Sequence, residues 1–107
     1  MFREQCMQGY REVGGGIRIK VLTYEQTTML VEFRMAAGAG LPGHAHPHEQ
    51  SGYLVSGHIE LTIGDEVFDV HPGDAWTISG DVPHQARVIE DSVAIEVFSP
   101  LREDFLD

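Results

Sequence analysis

Short segments in which apolar and polar residues alternate recur through the chain from residue 17 onward. In "IRIKVLT", Ile17, Ile19 and Val21 alternate with basic residues, and "MLVEFRM" at residues 29–35 repeats the pattern. A period of two places the apolar side chains on one face of a β-strand. Turn sequences such as "HPGD" and "SGDVP" separate the segments. This pattern predicts about eight short strands in an antiparallel β-sandwich or small barrel.

Three finer expectations follow from the same pattern. The segment "AAGAGLPG", residues 36–43, predicts a flexible connection because it is rich in glycine. Glu90 and Asp91 separate two apolar segments, which predicts a break between two strands. Helix is expected only in "PLREDFLD" at the end of the chain.

The length and charge of the chain limit its organisation and its partners. A chain of 107 residues is expected to form one domain over residues 1–107. The formal net charge of −10 opposes binding to nucleic acid or to an anionic membrane surface. The single cysteine, Cys6, cannot form an intrachain disulfide, and the first residues lack the apolar run of a signal peptide. These features predict a cytoplasmic protein.

Histidines occupy alternate positions in "HAHPHEQ", residues 44–50. In an extended chain, residues i and i+2 project to the same side, so His44 and His46 can point into one cavity. One interpretation is a metal site, and the other is a polar turn with solvated imidazoles. The alternation, together with a later histidine at position 84 after Pro83, favours the metal site.

These residues fall within spacings that resemble the first and second motifs of the cupins. Residues 38–57 reproduce every spacing of the first motif, with Gln50 where the family usually has Glu. Residues 73–88 match the second motif more loosely, and only Gly73 and His84 are kept. The resemblance implies an all-β fold, the cupin double-stranded β-helix or jelly-roll barrel, in a single domain.

The same resemblance implies one divalent metal ion, Zn, Ni, Mn or Fe, and it implies four ligands: His44, His46, Gln50 and His84. Three imidazoles and an amide form a neutral ligand set, which leaves the cation its full double charge. Such a site favours an anionic ligand and Lewis-acid chemistry.

The last apolar segment presents two different faces. Val93, Ile95 and Val97 share one face of the predicted strand, and Ala94, Glu96 and Phe98 share the other (residues 93–98). The sequence leaves open whether Glu96 faces the cavity or the solvent.

The ending "FSPLREDFL", together with Gln50, Glu96, Phe98 and Arg102, resembles the small pectin-degradation cupins of the KdgF group. That resemblance implies conversion of unsaturated monouronates, from pectin or alginate breakdown, to linear keto sugars. Glu96 would be the acid/base catalyst, Arg102 would act in catalysis and bind the substrate carboxylate, and Phe98 would pack on the sugar ring. The acid of that group is Asp, so Glu96 is one methylene longer. Residues 99–107 form the C-terminal tail.

Two other functions stay open, a metal-dependent dioxygenase and a non-catalytic cupin that binds a small carboxylated molecule. A homodimer is also expected, because a partner would cover sheet edges and an apolar strand face such as Ile17, Ile19 and Val21.

The sequence also predicts where four further side chains lie. His48 is expected at the rim of the pocket, and His58 and His71 are expected to be solvated. Trp76 could line a sugar pocket, but the favoured interpretation is a core aromatic beside Ile78.

Overall fold

The computed structural model describes residues 1–106, so Asp107, the last residue of the predicted tail, lies outside the described residues. Eight strands and one 3-10 turn make up the fold. They are β1 (Arg11–Gly14), β2 (Ile17–Tyr24), β3 (Met29–Met35), β4 (Gly40–His44), β5 (Glu49–Ile63), β6 (Glu66–Val70), β7 (Ala75–Ile78), β8 (His84–Ser99) and the 3-10 turn (Glu103–Phe105).

The strands form one antiparallel sheet in the order β1-β2-β3-β8-β5-β6, with β4 paired to β8 and β7 paired to β5. β5 has 15 residues and β8 has 16, and the two strands pair with each other. On its other edge, each of them pairs with one strand in its first half and with a different strand in its second half. The first half of β5 borders β7 and the second half borders β6, while β8 passes from β4 to β3. The sheet therefore curls around a central cavity, and the predicted all-β barrel is confirmed.

The core consists of the inward side chains of β2, β3, β5 and β8. Met29, Val31, Phe33 and Met35 are buried along β3, as the period of two predicts. Ile17 and Ile19 are 0% and 1% exposed, because β2 packs the same face against this core. The expectation that a partner covers this face is therefore wrong.

Two local expectations were also wrong, and one strand was not expected. Residues 40–44 form β4, because the long strand β8 supplies backbone partners to Gly40 and Leu41 even though the segment does not alternate. β8 continues through residues 90 and 91, where β5 lies alongside it. Arg11–Gly14 adds a first strand that the sequence pattern did not indicate.

The predicted C-terminal helix is a single 3-10 turn, Glu103–Phe105. Within residues 1–106, no helix is long and apolar enough to cross a membrane.

Candidate active site

The barrel encloses a cavity of about 400 Å³. This volume lies within the range of pockets that bind small molecules. Apolar side chains such as Leu41, Ile59 and Leu61 form part of its wall. Polar and charged side chains also line it: His44, Gln50, His84, Glu96 and Arg102. The cavity can therefore bury the apolar face of a ligand and bind its polar groups.

A histidine cluster lies where β4 ends and β8 begins. His44 and His84 are cross-strand partners, and His46 follows β4 by two residues. One ring nitrogen from each of the three lies within 4.8 Å of those of the other two. The ring centroids of His44 and His84 are 4.3 Å apart, and those of His46 and His84 are 5.0 Å apart. Three imidazoles therefore converge, as the alternation predicted for the first two.

Backbone carbonyls fix the tautomers of two of these rings. His44 Nδ1 lies 2.9 Å from the carbonyl oxygen of Pro42, and His84 Nδ1 lies 2.9 Å from that of Val82. A carbonyl only accepts hydrogen bonds, so Nδ1 carries a hydrogen in both rings and Nε2 is the nitrogen that could bind a metal ion.

Buried nitrogens of the cluster lack hydrogen-bond partners among the described residues. They are His84 Nε2 and both ring nitrogens of His46. Buried polar atoms without partners are rare, and each one costs free energy unless it binds a ligand. A cation held between these lone pairs would remove that cost.

The protonation state of the cluster suits a metal. Burial lowers the pKa of His46 and of His84, and the positive charges of Arg102 and the neighbouring imidazoles lower both further. The backbone carbonyl of Val82 opposes the shift at His84. Both rings are therefore held in the neutral form, which is the form that binds a metal ion.

The turn before β8 fixes the loop that carries His46. The backbone N–H of Asp81 donates a hydrogen bond of 2.7 Å to the carbonyl oxygen of His46. A Cβ at Gly80 would lie only 2.5 Å from the carbonyl oxygen of Pro47, so this close approach requires glycine. The second motif therefore supplies His84 and also positions the first-motif loop.

Gln50 lies on β5 beside the cluster. Its Nε2 donates a hydrogen bond of 2.7 Å to Glu96 Oε1, and its own Oε1 is buried without a partner. Because a carboxylate only accepts, this bond determines which end of the amide faces Glu96. The side chain of Gln50 also opposes the lowering of the pKa of His46. The amide oxygen is therefore available as a fourth ligand atom beside the three imidazoles.

Glu96 lies on the inward face of β8, with Ala94 and Phe98. Only 7% of its surface is exposed, and it lines the cavity. Of the two orientations that the sequence left open, Glu96 therefore faces the cavity and not the solvent. Burial raises the pKa of Glu96, while hydrogen bonds from Trp76 and Gln50 and the charge of Arg102 oppose the rise. Both hydrogen bonds end on Oε1, so neither occupies Oε2.

Trp76 is a site residue that the favoured sequence interpretation placed only in the core. Its Nε1 donates a hydrogen bond of 2.9 Å to Glu96 Oε1, and its side chain lines the cavity. Ile78, which lies beside it on β7, is the core residue of the pair at 1% exposure. Alternation placed both residues on one face but gave no signal for the partner of the indole N–H.

Gly52 makes room for the indole. It is the cross-strand partner of Trp76, and a Cβ built at this position would lie 2.2 Å from the ring. The absence of a side chain at Gly52 therefore leaves space for the indole, which reaches Glu96.

Arg102 stacks on two aromatic rings and pairs with an acid. Its guanidinium carbon lies 5.2 Å from the ring centre of Phe98 and 4.3 Å from that of Phe105. Its Nε and Nη2 donate hydrogen bonds of 3.2 and 3.0 Å to the two carboxylate oxygens of Asp104. The forked donor set expected to bind a substrate carboxylate is therefore engaged by Asp104, whose side chain is 61% exposed. Phe98 lines the cavity but is only 1% exposed.

The remaining histidines lie in two places. His48 is partly buried, 5.3 Å from the His46 ring, and its Nδ1 lacks a partner. His58 and His71 are stacked on the outside of the barrel with Asp69. His71 has a side chain that is 58% exposed, so its expected solvation is confirmed. The expectation is wrong for His58, whose side chain is 23% exposed and hydrogen-bonded to Asp69.

Comparison with known proteins gives consistent matches. The family described as "Cupin domain" matches residues 31–99. "Pectin degradation protein KdgF" of Dickeya dadantii is 35% identical over 99 residues, which cover 91% of this chain and 90% of that protein. Oxalate decarboxylase OxdC of Bacillus subtilis is 28% identical over 88 residues, which cover 75% of this chain but only 23% of that protein.

Solved structures agree with the sequence matches. The structure of KdgF from Halomonas sp. superimposes with a TM-score of 0.91 at 32% identity, covering 97% of this chain and 98% of that one. An RmlC-like cupin from Shewanella frigidimarina gives a TM-score of 0.88 at 29% identity, covering 92% and 89%.

The contact between Gly52 and Trp76 gives a direct test of the site geometry. Gly52→Ala should displace the indole, because the new Cβ cannot fit beside it. We expect the free energy of unfolding to fall by about 1–3 kcal/mol. The fluorescence emission of Trp76, which is the only tryptophan, should also change. Urea denaturation and intrinsic fluorescence measure both effects.

The matched control is Gly15→Ala, because a Cβ at Gly15 meets nothing within 4 Å and the residue does not need a positive φ. Equal effects of the two substitutions would contradict the placement of the indole over Gly52.

Proposed function

The chain belongs to the cupin family, and we propose that it is a metal-dependent enzyme that opens the ring of unsaturated monouronates to give linear keto sugars. One observation carries the proposal: a buried acid, Glu96, is hydrogen-bonded to Gln50 in a cavity that His44 and His84 also line, and the His46 ring converges with those two imidazoles. The similarity to the pectin degradation protein of Dickeya dadantii supports a uronate as the substrate.

The residues present fit a divalent transition-metal ion. Four ligand atoms are proposed: a ring nitrogen from each of His44, His46 and His84, and the Oε1 of Gln50. The buried lone pairs without partners support this assignment, as does the lowered pKa of His46 and of His84. Imidazole and amide ligands suit Zn, Ni, Mn or Fe(II). When bound, the ion would supply Lewis-acid binding of substrate oxygens, with two positive charges that a neutral ligand set does not cancel.

Glu96 is proposed as the acid/base catalyst. Its carboxylate takes the proton of the anomeric hydroxyl; the C1–O1 carbonyl then forms as the bond from C1 to the ring oxygen breaks. The electron pair of that bond gives an enolate at C5, and Glu96 returns the proton to C4, so the product is an isomer with a C5 ketone. Burial raises the pKa of Glu96, which makes the carboxylate a stronger base than a solvated one.

Trp76 and Gln50 hold the carboxylate during this cycle. Their N–H groups donate to Oε1, which limits rotation of the side chain and leaves Oε2 free of both bonds. We therefore assign proton transfer to Oε2. This geometry needs no movement of β8, because Glu96 already faces the cavity.

Arg102 is proposed to bind the substrate carboxylate, assisted by the aromatic rings that enclose it. The Phe98 and Phe105 rings contact the guanidinium on two sides, and a planar fork is suited to a carboxylate. The exposed Asp104 carboxylate occupies part of this fork, so we expect the substrate to displace it. The rings, including Phe98 in the cavity wall, also help to exclude water from the reacting atoms.

Metal binding tests the ligand assignment. The double substitution His44→Ala/His84→Ala removes two ligands, so the affinity of the tightest site for Zn²⁺ or Ni²⁺ should fall by at least about tenfold. Competition with a calibrated chelator measures the affinity after the wild-type protein has been stripped of metal. The matched control is His48→Ala, which removes a neighbouring imidazole outside the proposed set and should keep the wild-type affinity. Unchanged affinity in the double variant would place the tight site elsewhere.

Turnover tests the role of Glu96. Glu96→Gln still accepts the hydrogen bonds from Gln50 and Trp76 but cannot cycle a proton, so turnover should fall by about 10²–10⁴-fold while metal affinity is kept. The assay follows loss of the ultraviolet absorbance of a 4,5-unsaturated monouronate above its spontaneous rate. Glu96→Asp is the control that keeps an acid, and it should retain much of the activity.

An unchanged rate in Glu96→Gln would remove this residue from the mechanism. Tight binding of the uronate without any turnover by the metal-loaded wild-type protein would instead support a binding protein. No observation in the cavity favours the dioxygenase alternative over these two.

We also propose that the chain forms a homodimer through the outward face of β5 and β8. Tyr53, Val55 and Val97 on this face are 49%, 48% and 38% exposed, and Tyr53 lies across from Ile95. Light scattering at micromolar concentration should give the mass of two chains, and Val97→Glu should give one. A wild-type mass of one chain would contradict this proposal.

A further inference from the structure

A second group of metal-ligating side chains lies on the outside of the barrel. We propose that His58, Asp69 and His71 form a separate binding site for a divalent transition-metal ion, with at least one coordination position open to water. The ion would connect the β5–β6 hairpin to the turn that follows β6. The proposal does not depend on the reaction inside the cavity.

The three side chains already converge. One ligand atom from each lies within 4.8 Å of those of the other two. His58 Nε2 is hydrogen-bonded to Asp69 Oδ1, and His71 Nε2 lies 3.8 Å from Asp69 Oδ2. The two rings are stacked, with centroids 4.6 Å apart and planes 17° apart. Both Nε2 atoms therefore face the same carboxylate.

This group lies apart from the cavity. Ile59 and Leu61 line the cavity from β5. His58 is instead hydrogen-bonded to Asp69, whose side chain is 67% exposed. His58 therefore projects outward. Asp69 is the cross-strand partner of Glu60, on the same outer face of the hairpin. An ion at this position would not contact a ligand bound inside the barrel.

The backbone holds the three residues in place. His58 and Asp69 lie on paired strands, five residue pairs of which join β5 to β6. The backbone N–H of His71 donates a hydrogen bond of 2.8 Å to Asp74 Oδ2, which orders the turn. A site on paired strands and an ordered turn loses little conformational entropy when an ion binds.

The donor set determines the chemical class of the ion. Two imidazoles and one carboxylate suit Zn²⁺, Ni²⁺ or Cu²⁺, whereas Ca²⁺ and Mg²⁺ prefer oxygen ligands alone. Asp74 Oδ2, 4.0 Å from His71 Nδ1, is placed to orient the second ring from behind. The net charge of −10 also favours a cation.

Stoichiometry of Zn²⁺ binding tests the proposal. Isothermal titration of metal-stripped wild-type protein should show two classes of site, one from each histidine group. Asp69→Asn and His71→Ala should each weaken the second class by at least about tenfold and leave the first class unchanged. Glu60→Gln is the matched control, because it removes a neighbouring acid on the same outer face without removing a ligand, and both classes should remain.

The same titration distinguishes this site from the one in the cavity. In His44→Ala/His84→Ala, one class should remain, and adding Zn²⁺ should still raise the melting temperature. Turnover of Asp69→Asn should equal that of the wild type, so failure of either proposal can be recognised separately. Wild-type protein with a single class of site, or a second class that survives both Asp69→Asn and His71→Ala, would overturn the proposal.

Discussion

The hydrogen bond from Gln50 Nε2 to Glu96 Oε1 joins the two halves of the candidate site. As a carboxylate, Glu96 can only accept this hydrogen bond. The amide nitrogen of Gln50 therefore faces β8, and its amide oxygen is left for the histidine cluster. A carboxylate in place of Gln50 could not donate to Glu96 and would repel it. The amide therefore allows a metal ligand and a buried acid to lie next to each other.

Burial of Glu96 requires compensation, because a carboxylate removed from water is costly without hydrogen bonds or a nearby positive charge. The two N–H donors from Gln50 and Trp76 and the charge of Arg102 provide it, yet burial remains the largest influence on its pKa. Small local features of the fold make these contacts possible. Glycine at position 52, for example, leaves space for the Trp76 indole that donates to Glu96. Glu96 is therefore a base that is held in place and largely removed from water.

Much of this arrangement could be predicted from the sequence. Alternation correctly predicted the buried face of β3 and the burial of Ile17 and Ile19 on β2, but Lys20, which it placed on the solvent face, is only 5% exposed. The motif spacing indicated the three histidines that converge. Pairing partners are not encoded in local pattern, so β4 and the unbroken course of β8 were missed. The Trp76 contact depends on what lies across the strand, and the engagement of Arg102 by Asp104 depends on how the last turn folds back. Both are tertiary contacts with no periodic signal.

The most direct test of the coupling between the metal ligands and Glu96 is a crystal structure of the metal-loaded protein, with the ion located by anomalous scattering. We expect one ion in the cavity bound by His44, His46, His84 and the amide oxygen of Gln50, with Gln50 Nε2 still within hydrogen-bonding distance of Glu96. An ion bound by the three histidines with the Gln50 side chain turned away, or bound directly by Glu96, would contradict the account.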